Sequence, residues 1–314
     1  MGNQYQNLLA QAEKLRRHNR QGSFQTKGRY YEAFKRFLRF VAEEYRLEKL
    51  QNLSGKHMHS YFVYLKAKGL AASTIKTEAS AIRFWHDQIP NAKHTLQSNA
   101  DLSLERRRFG EKDRTWSDSS YSQMLLECVG ADRLDYASCM ALARHLGMRI
   151  HEVLRLDAAT ARKALKTGIL TFRGKNGLWR SVSINEQVRI ALRDSLAHTK
   201  PGQKLFVPEG EKTHTIINDL ETFIREHRAK LRFQDADGRA PITFHGLRHT
   251  FVKEHYTRLR RAGDTDLAAC RKLAPLLGHK RPEIVHCYLA KDLVARFEKS
   301  GECRIMKEEE LTCI

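Results

Sequence analysis

Along the first hundred positions the apolar residues recur every three or four residues, the spacing of helices with one buried face. Leu8, Leu9, Ala12 and Leu15 mark a helix over 5–19. Tyr31, Phe34, Phe37, Leu38, Val41 and Tyr45 share one face over 28–46, while Lys35, Arg36, Arg39 and Glu43 fall elsewhere. A third helix fits 55–68, with Met58, Tyr61, Phe62 and Leu65 inward and Gly69 as its stop. A fourth covers 73–88, opened by Ser73 as N-cap, striped by Ile75, Ala79, Ile82 and Trp85, and ended before Pro90. The pattern predicts an all-helical domain over 1–97. Residues 98–115, which include Glu105-Arg106-Arg107-Arg108 and Glu111-Lys112-Asp113-Arg114, read as a charged linker.

A second domain is expected over 116–300. Its first helices fall at 118–130 and 133–147, and a third begins near Ile150. The period then changes to two. Ile169-Leu170-Thr171-Phe172-Arg173 has strand composition, and so does 179–184, which sets Trp179, Ser181 and Ser183 opposite Arg180, Val182 and Ile184. Between them lies Gly174-Lys175-Asn176-Gly177. Asn-Gly accepts the positive φ of a type I′ turn, so the segment predicts an antiparallel hairpin with Lys175 at its tip. Helices resume at 185–198, 213–231, 246–262 and 265–275, with short ones at 281–289 and 292–299 and a charged tail over 301–314. The expected fold class is mainly α: a helical N-terminal domain, then a mostly α domain with a small antiparallel β-sheet.

Charge narrows the partner. The 314 residues carry 56 Lys+Arg against 36 Asp+Glu, a net charge of +20, with 41% hydrophobic content. That apolar share excludes a disordered basic tail, and the excess of positive charge points to a polyanion. Residues 1–110 hold 20 basic and 9 acidic side chains, and 111–314 hold 36 and 27. Both halves are therefore basic, as two domains closing on a duplex from opposite sides would be. No apolar run approaches a membrane span, and the polar N-terminus lacks a signal-peptide core. Six cysteines without a C-x-x-C pair fit no zinc module and read as reduced thiols of a cytoplasmic protein.

Several side chains of the second half carry candidate chemistry. Arg149 follows Gly147-Met148, where a glycine late in a helix lets the chain turn and the arginine project. Lys175 sits at the hairpin tip. His245 and Arg248, three apart, share a face at a helix start. His279 follows Leu277-Gly278, and Tyr288 follows an apolar run. Taken singly, each has an ordinary structural reading: a surface ion pair of Arg149 with Glu152, a solvated lysine, a core tyrosine. His245 and His249 have metal-ligand spacing, but Gly246 stands where a zinc hydrolase has its glutamate and no third ligand is evident. Taken together, the residues suit phosphoryl transfer. Arginines hold phosphate oxygens in bidentate fashion, imidazoles move protons near neutrality, a lysine protonates a leaving alkoxide, and a tyrosine can form a covalent phosphodiester.

The ordered set resembles the tyrosine recombinases, or phage-integrase family. Gly147-Met148-Arg149-Ile150-His151-Glu152 is similar to the family's first arginine motif, and Lys175 to its hairpin lysine. His245-Gly246-Leu247-Arg248-His249-Thr250-Phe251 matches H-x-L-R-H-T-F, Leu277-Gly278-His279 matches L-G-H, and Tyr288 follows at the family's usual spacing. The resemblance is strong over 115–295 and weaker over the first domain. Gly174-Lys175-Asn176 replaces the usual G-K-G, and the segment from Arg248 to His279 is longer than in compact members.

The resemblance implies catalytic Arg149, Lys175, His245, Arg248, His279 and Tyr288, with neither metal nor other cofactor. Tyr288 would form a 3′-phosphotyrosyl link, the two arginines would clamp the phosphate, Lys175 would act as general acid and His245 would assist removal of the tyrosine proton. His279 would hydrogen-bond the phosphate. Strand exchange through a Holliday junction would follow on double-stranded DNA, in a homo-tetramer at the nucleoid, for integration or excision of a mobile element. A resolvase of replicon multimers, a type IB topoisomerase and a non-catalytic DNA-binding protein are the alternatives. Leu293, Val294 and Phe297 form an apolar stripe suited to docking on a neighbouring protomer or, failing that, on their own domain. The helical pattern beginning near residue 1 leaves no room for an arm-binding domain and leads to an expectation of simple core sites.

Overall fold

Helical residues dominate the computed structural model, which describes residues 3–19, 24–105, 109–174, 177–231 and 240–299. The chain folds as two units, 1–108 and 109–314.

In the first unit the helices are α1 (Asn3–His18), α2 (Phe24–Tyr45), α3 (Gly55–Ala67) and α4 (Ala72–His86). Their apolar faces meet in an aromatic-rich core. Phe34 of α2 stacks on Trp85 of α4, and Phe37 tilts against Tyr61 of α3. Buried Glu78 accepts from Arg36 and from the Tyr61 hydroxyl, so the charge inside this core is paired. The segment expected as a linker, 98–115, does not behave as one piece. Leu102 is buried in the first unit's core. Asp113 takes an ion pair from Lys253 of the second unit, and Thr115 beside it is buried.

The second unit begins with α5 (Asp118–Gly130), α6 (Leu134–Leu146), the single turn α7 (Ile150–Val153) and α8 (Ala158–Thr167). Strands β1 (Ile169–Arg173) and β2 (Trp179–Ser183) pair antiparallel, with Leu170 opposite Val182 and Phe172 opposite Arg180. Arg180 and Val182 face inward and Trp179 is exposed, as the alternation requires. Then come α9 (Glu186–Ala197), α10 (Thr213–His227), α11 (Phe244–Arg261), α12 (Asp266–Leu276), a 3-10 run over Pro282–Tyr288, and α13 (Lys291–Lys299). The sequence pattern predicts an ordinary short helix over 281–289. Instead Pro282 opens a 3-10 run, and that winding brings it to an end on Tyr288. The apolar stripe of α13 packs on its own unit: Phe297 meets Tyr256 edge to face at 6.1 Å. No helix of the described residues is long and apolar enough to cross a membrane.

Candidate active site

Thr243 caps α11, its hydroxyl accepting from the Gly246 N–H at 3.3 Å. The helix therefore starts at Phe244, and His245 and Arg248 lie in its first turns. Position 246 admits no side chain, since a Cβ there would stand 2.6 Å from the Arg114 carbonyl oxygen and 2.7 Å from Trp116 Nε1. The Trp116 backbone N–H in turn donates to Thr250 at 2.8 Å, seating the segment before α5 on α11.

Arg248 has no exposed surface. Its guanidinium donates to three acceptors: the Gly147 carbonyl, the Leu277 carbonyl at 2.7 Å, and the Tyr288 hydroxyl at 3.2 Å. Both carbonyls sit at helix C-termini, where backbone oxygens lack intrahelical partners. Gly147 supplies its carbonyl from a left-handed C-cap at φ 61°, with the Phe251 ring where a Cβ would go. Burial lowers the pKa of Arg248 and the Arg149 charge adds to that, while Tyr288 opposes it.

Arg149 occupies the turn between α6 and α7. Its backbone N–H donates to Glu152 at 2.9 Å and its Nη1 donates to the same carboxylate at 2.8 Å. Glu152 is fully buried, and a second guanidinium, that of Arg180 from β2, donates to it. Burial alone would raise the Glu152 carboxyl; the charge of Arg180 and the N–H and charge of Arg149 outweigh it and hold the group below the usual carboxylate range. Arg180 also donates to the Leu276 carbonyl, and its stem fills the space where a Cβ on Gly278 would be, 2.8 Å away. Burial depresses its pKa to about 10 against the pull of Glu152. Two guanidiniums thus hold one carboxylate, and with Arg248 beside them the site keeps an excess of positive charge suited to an anion.

Tyr288 is 9% exposed at the end of the 3-10 run. His279 Nε2 lies 3.2 Å from its hydroxyl and 3.4 Å from Arg149 Nη2. A guanidinium only donates, so Nε2 offers its lone pair. Arg248 donates to the Tyr288 oxygen, which leaves the phenolic hydrogen to point at His279. His249 Nδ1 donates to the Tyr288 carbonyl at 2.9 Å and holds the backbone of this residue. Burial, then the charges of Arg248, Arg149 and Arg180, push His279 down to about 4. His245 is also pushed down to about 4 by burial, then by His249, Arg248 and Arg149. Both imidazoles are neutral at neutral pH. His245 faces the Tyr288 ring with centroids 5.9 Å apart.

The structure brings Arg149, His245, Arg248, His279 and Tyr288 together around one point. Lys175 lies outside the described residues; among those described, Arg173 at the end of β1 pairs with Trp179 at the start of β2. His245 and His249 join no group of three metal-ligating side chains among the described residues. Sequence reasoning leaves Arg180 unassigned and gives Glu152 only a surface pairing. The signal for Arg180 is a charged residue on the inward phase of an otherwise apolar strand face.

The sequence model of the phage integrase family matches residues 118–293, and that of the phage integrase N-terminal SAM-like domain matches 8–88. A tyrosine recombinase XerC from Natranaerobius thermophilus is 25% identical over 264 residues, covering 82% of this chain and 85% of its own. Among solved structures, XerH site-specific recombinase bound to a palindromic difH substrate superposes with a TM-score of 0.63 at 18% identity, covering 93% of this chain and 84% of that one. A lambda integrase dimer bound to a COC′ core site gives 0.62 at 14% identity, covering 90% and 76%. These two likenesses show a shared fold.

Proposed function

Because the chain belongs to the phage integrase family and is a tyrosine recombinase, we propose that Tyr288 is the nucleophile with which it cleaves and rejoins double-stranded DNA. The observation that carries this reading is the Tyr288 hydroxyl set between Arg248 and His279. In the proposed step Tyr288 Oη bonds to the scissile phosphorus, the bond to the 5′-oxygen breaks, and a 3′-phosphotyrosyl link remains. The phenolic proton passes to a neutral imidazole. His279 is the one in contact with the hydroxyl, so it takes the first proton contact, a role the family resemblance gives to His245. Arg149 and Arg248 hold the non-bridging oxygens, where fixed donors stabilise the charge that develops. Glu152 and Arg180 act behind them as positioning residues. Lys175 is assigned to protonate the departing 5′-oxygen, following the family resemblance.

Rejoining to a different partner reverses the step: the 5′-hydroxyl of another strand attacks the phosphotyrosine. Exchanging both strands between two duplexes needs four cleavages. With one nucleophilic tyrosine per chain this requires a homo-tetramer, passing through a Holliday junction.

The use of the reaction is proposed as integration and excision of a mobile element, following the family resemblance. The XerC relative favours a second reading, resolution of replicon multimers. A recombination assay on genomic fragments flanking the gene separates them. Integration joins two dissimilar sites, whereas resolution joins two copies of one site. Relaxation of a plasmid that carries no site, without recombinants from a two-site plasmid, would instead establish topoisomerase-like behaviour and overturn both.

A further inference from the structure

Beneath the turn that carries Tyr288 is a second cluster that the strand-transfer chemistry does not use. Asp266 and Cys270 lie one helical turn apart on α12 and so share a face. His286, in the 3-10 run two residues before the nucleophile, reaches that face. Its Nε2 is 3.0 Å from Asp266 Oδ1 and 3.6 Å from Cys270 Sγ, and the sulfur is 3.9 Å from the same carboxylate oxygen.

The arrangement excludes one familiar use of these three residue types. In a nucleophilic triad the thiol meets one ring nitrogen and the carboxylate the other, so that the imidazole relays a proton between them. Here sulfur and carboxylate both face Nε2, and no relay is possible. Three different donor atoms converging on one small space is instead the way side chains surround a cation.

The donor set selects the ion. Thiolate, imidazole and carboxylate together suit a borderline-soft divalent metal and not magnesium or calcium. Around tetrahedral zinc, with bonds of about 2.0–2.3 Å, neighbouring donors stand roughly 3.3–3.6 Å apart, close to the separations found here. Tyr256 adds an outer partner, its hydroxyl donating to Asp266 Oδ1 at 2.6 Å, as carboxylate ligands are commonly held. Cys270 is buried, while the side chains of His286 and Asp266 are 42% and 34% exposed, which leaves an entry path and a fourth position for water.

We propose that Asp266, Cys270 and His286 form a zinc site that ties the first turn of α12 to the turn ending in Tyr288. Binding forms the S–Zn, N–Zn and O–Zn bonds and releases the thiol proton to solvent, the imidazole staying neutral with its proton on Nδ1. The role is structural: the metal would fix the approach of the nucleophile without touching the phosphate. Metal binding itself stands independently of the recombinase reading.

Cobalt(II) tests this directly, since a tetrahedral thiolate site gives intense visible d–d bands and a sulfur-to-cobalt charge-transfer band. The intact protein titrated with cobalt(II) should develop both, saturating at one equivalent, and zinc should bleach them. Cys270→Ser should remove the charge-transfer band, and His286→Asn, at a half-exposed position tolerant of change, should remove the tetrahedral spectrum. Tyr256→Phe should weaken binding by roughly 10–100-fold. Cys287→Ser should leave the spectrum intact. No thiolate band in the wild-type protein, or a band that survives both Cys270→Ser and His286→Asn, would overturn the proposal.

Discussion

Replacing Glu152 with glutamine, a change of almost no volume, tests whether this carboxylate organises the arginines around the phosphate site. It accepts from the Arg149 N–H, from Arg149 Nη1 and from Arg180 Nη2, with none of its side chain exposed. Glutamine keeps one acceptor oxygen, and its NH₂ must face a guanidinium whichever way the amide is turned. At least one charge-assisted hydrogen bond is lost, worth about 1.5–3 kcal/mol. Arg180, whose side chain is 2% exposed, is left without a counter-charge. Removing one partner from a buried pair costs roughly 3–5 kcal/mol, and Glu152→Gln should fall in that range. Native-state hydrogen exchange at the amides of α11 reads this for the second unit alone. The exposed pair Glu186–Arg193 is the control, and Glu186→Gln should cost less than about 1 kcal/mol. The acid limb fixes the sign. The Glu152 pKa is depressed, so its stabilisation is present above the unfolded carboxylate value of about 4.3 and fades as pH falls below it. The gap between wild type and variant should therefore close in acid. A loss under about 1 kcal/mol at neutral pH, or one no larger than that of Glu186→Gln, would refute the reasoning.

Other expectations follow from the same geometry. His245 and His279 should titrate near 4 in the free protein by NMR of the imidazole C–H resonances, well below the ordinary value of about 6.5. Because the unfolded chain takes up these protons first, stability should fall as pH drops from about 6.5 towards 4; ordinary titration of both rings would contradict the buried, cation-flanked site. Gly147→Ala would force a Cβ onto the Phe251 ring at positive φ, and should destabilise by about 1–3 kcal/mol while displacing the carbonyl that holds Arg248. An unchanged unfolding midpoint would show that the α6 C-cap tolerates a side chain. Arg180→Met combined with Glu152→Gln should recover part of the stability lost in Glu152→Gln alone, since no unpaired buried charge remains on β2. A double variant that loses the two effects in full sum would count against coupling.

The helical stripes and the hairpin are legible in the sequence because each is a local pattern. Phe34, Phe37, Leu38 and Val41 repeat at helical spacing, and the alternation through Val182 fixes which face of β2 is buried. The start of α11 falls two residues before the glycine at which the pattern places it, because its cap, Thr243, lies just outside the recognisable motif. The 3-10 winding before Tyr288 is not visible either: i+3 and i+4 closure suit the same apolar spacing over so short a run. Arg180 illustrates the harder limit. Its inward phase is readable, but its partners come from α7 and from the end of α12, 28 and 96 residues away in sequence, and only the packed structure joins them. The apolar stripe of α13, for which the sequence leaves both a neighbouring protomer and its own domain open, packs within this chain against Tyr256.

The central claim is that Tyr288 attacks DNA. The direct measurement is covalent trapping: a duplex carrying the recombination site, nicked just beyond the scissile phosphate so that the freed 5′ fragment diffuses away, is mixed with the protein and resolved under denaturing conditions. A DNA–protein adduct should accumulate, peptide mapping should find the phosphodiester on Tyr288, and Tyr288→Phe should bind the same DNA yet form none. An adduct that persists in Tyr288→Phe, or wild-type protein that binds its site and yields no adduct, would contradict the account.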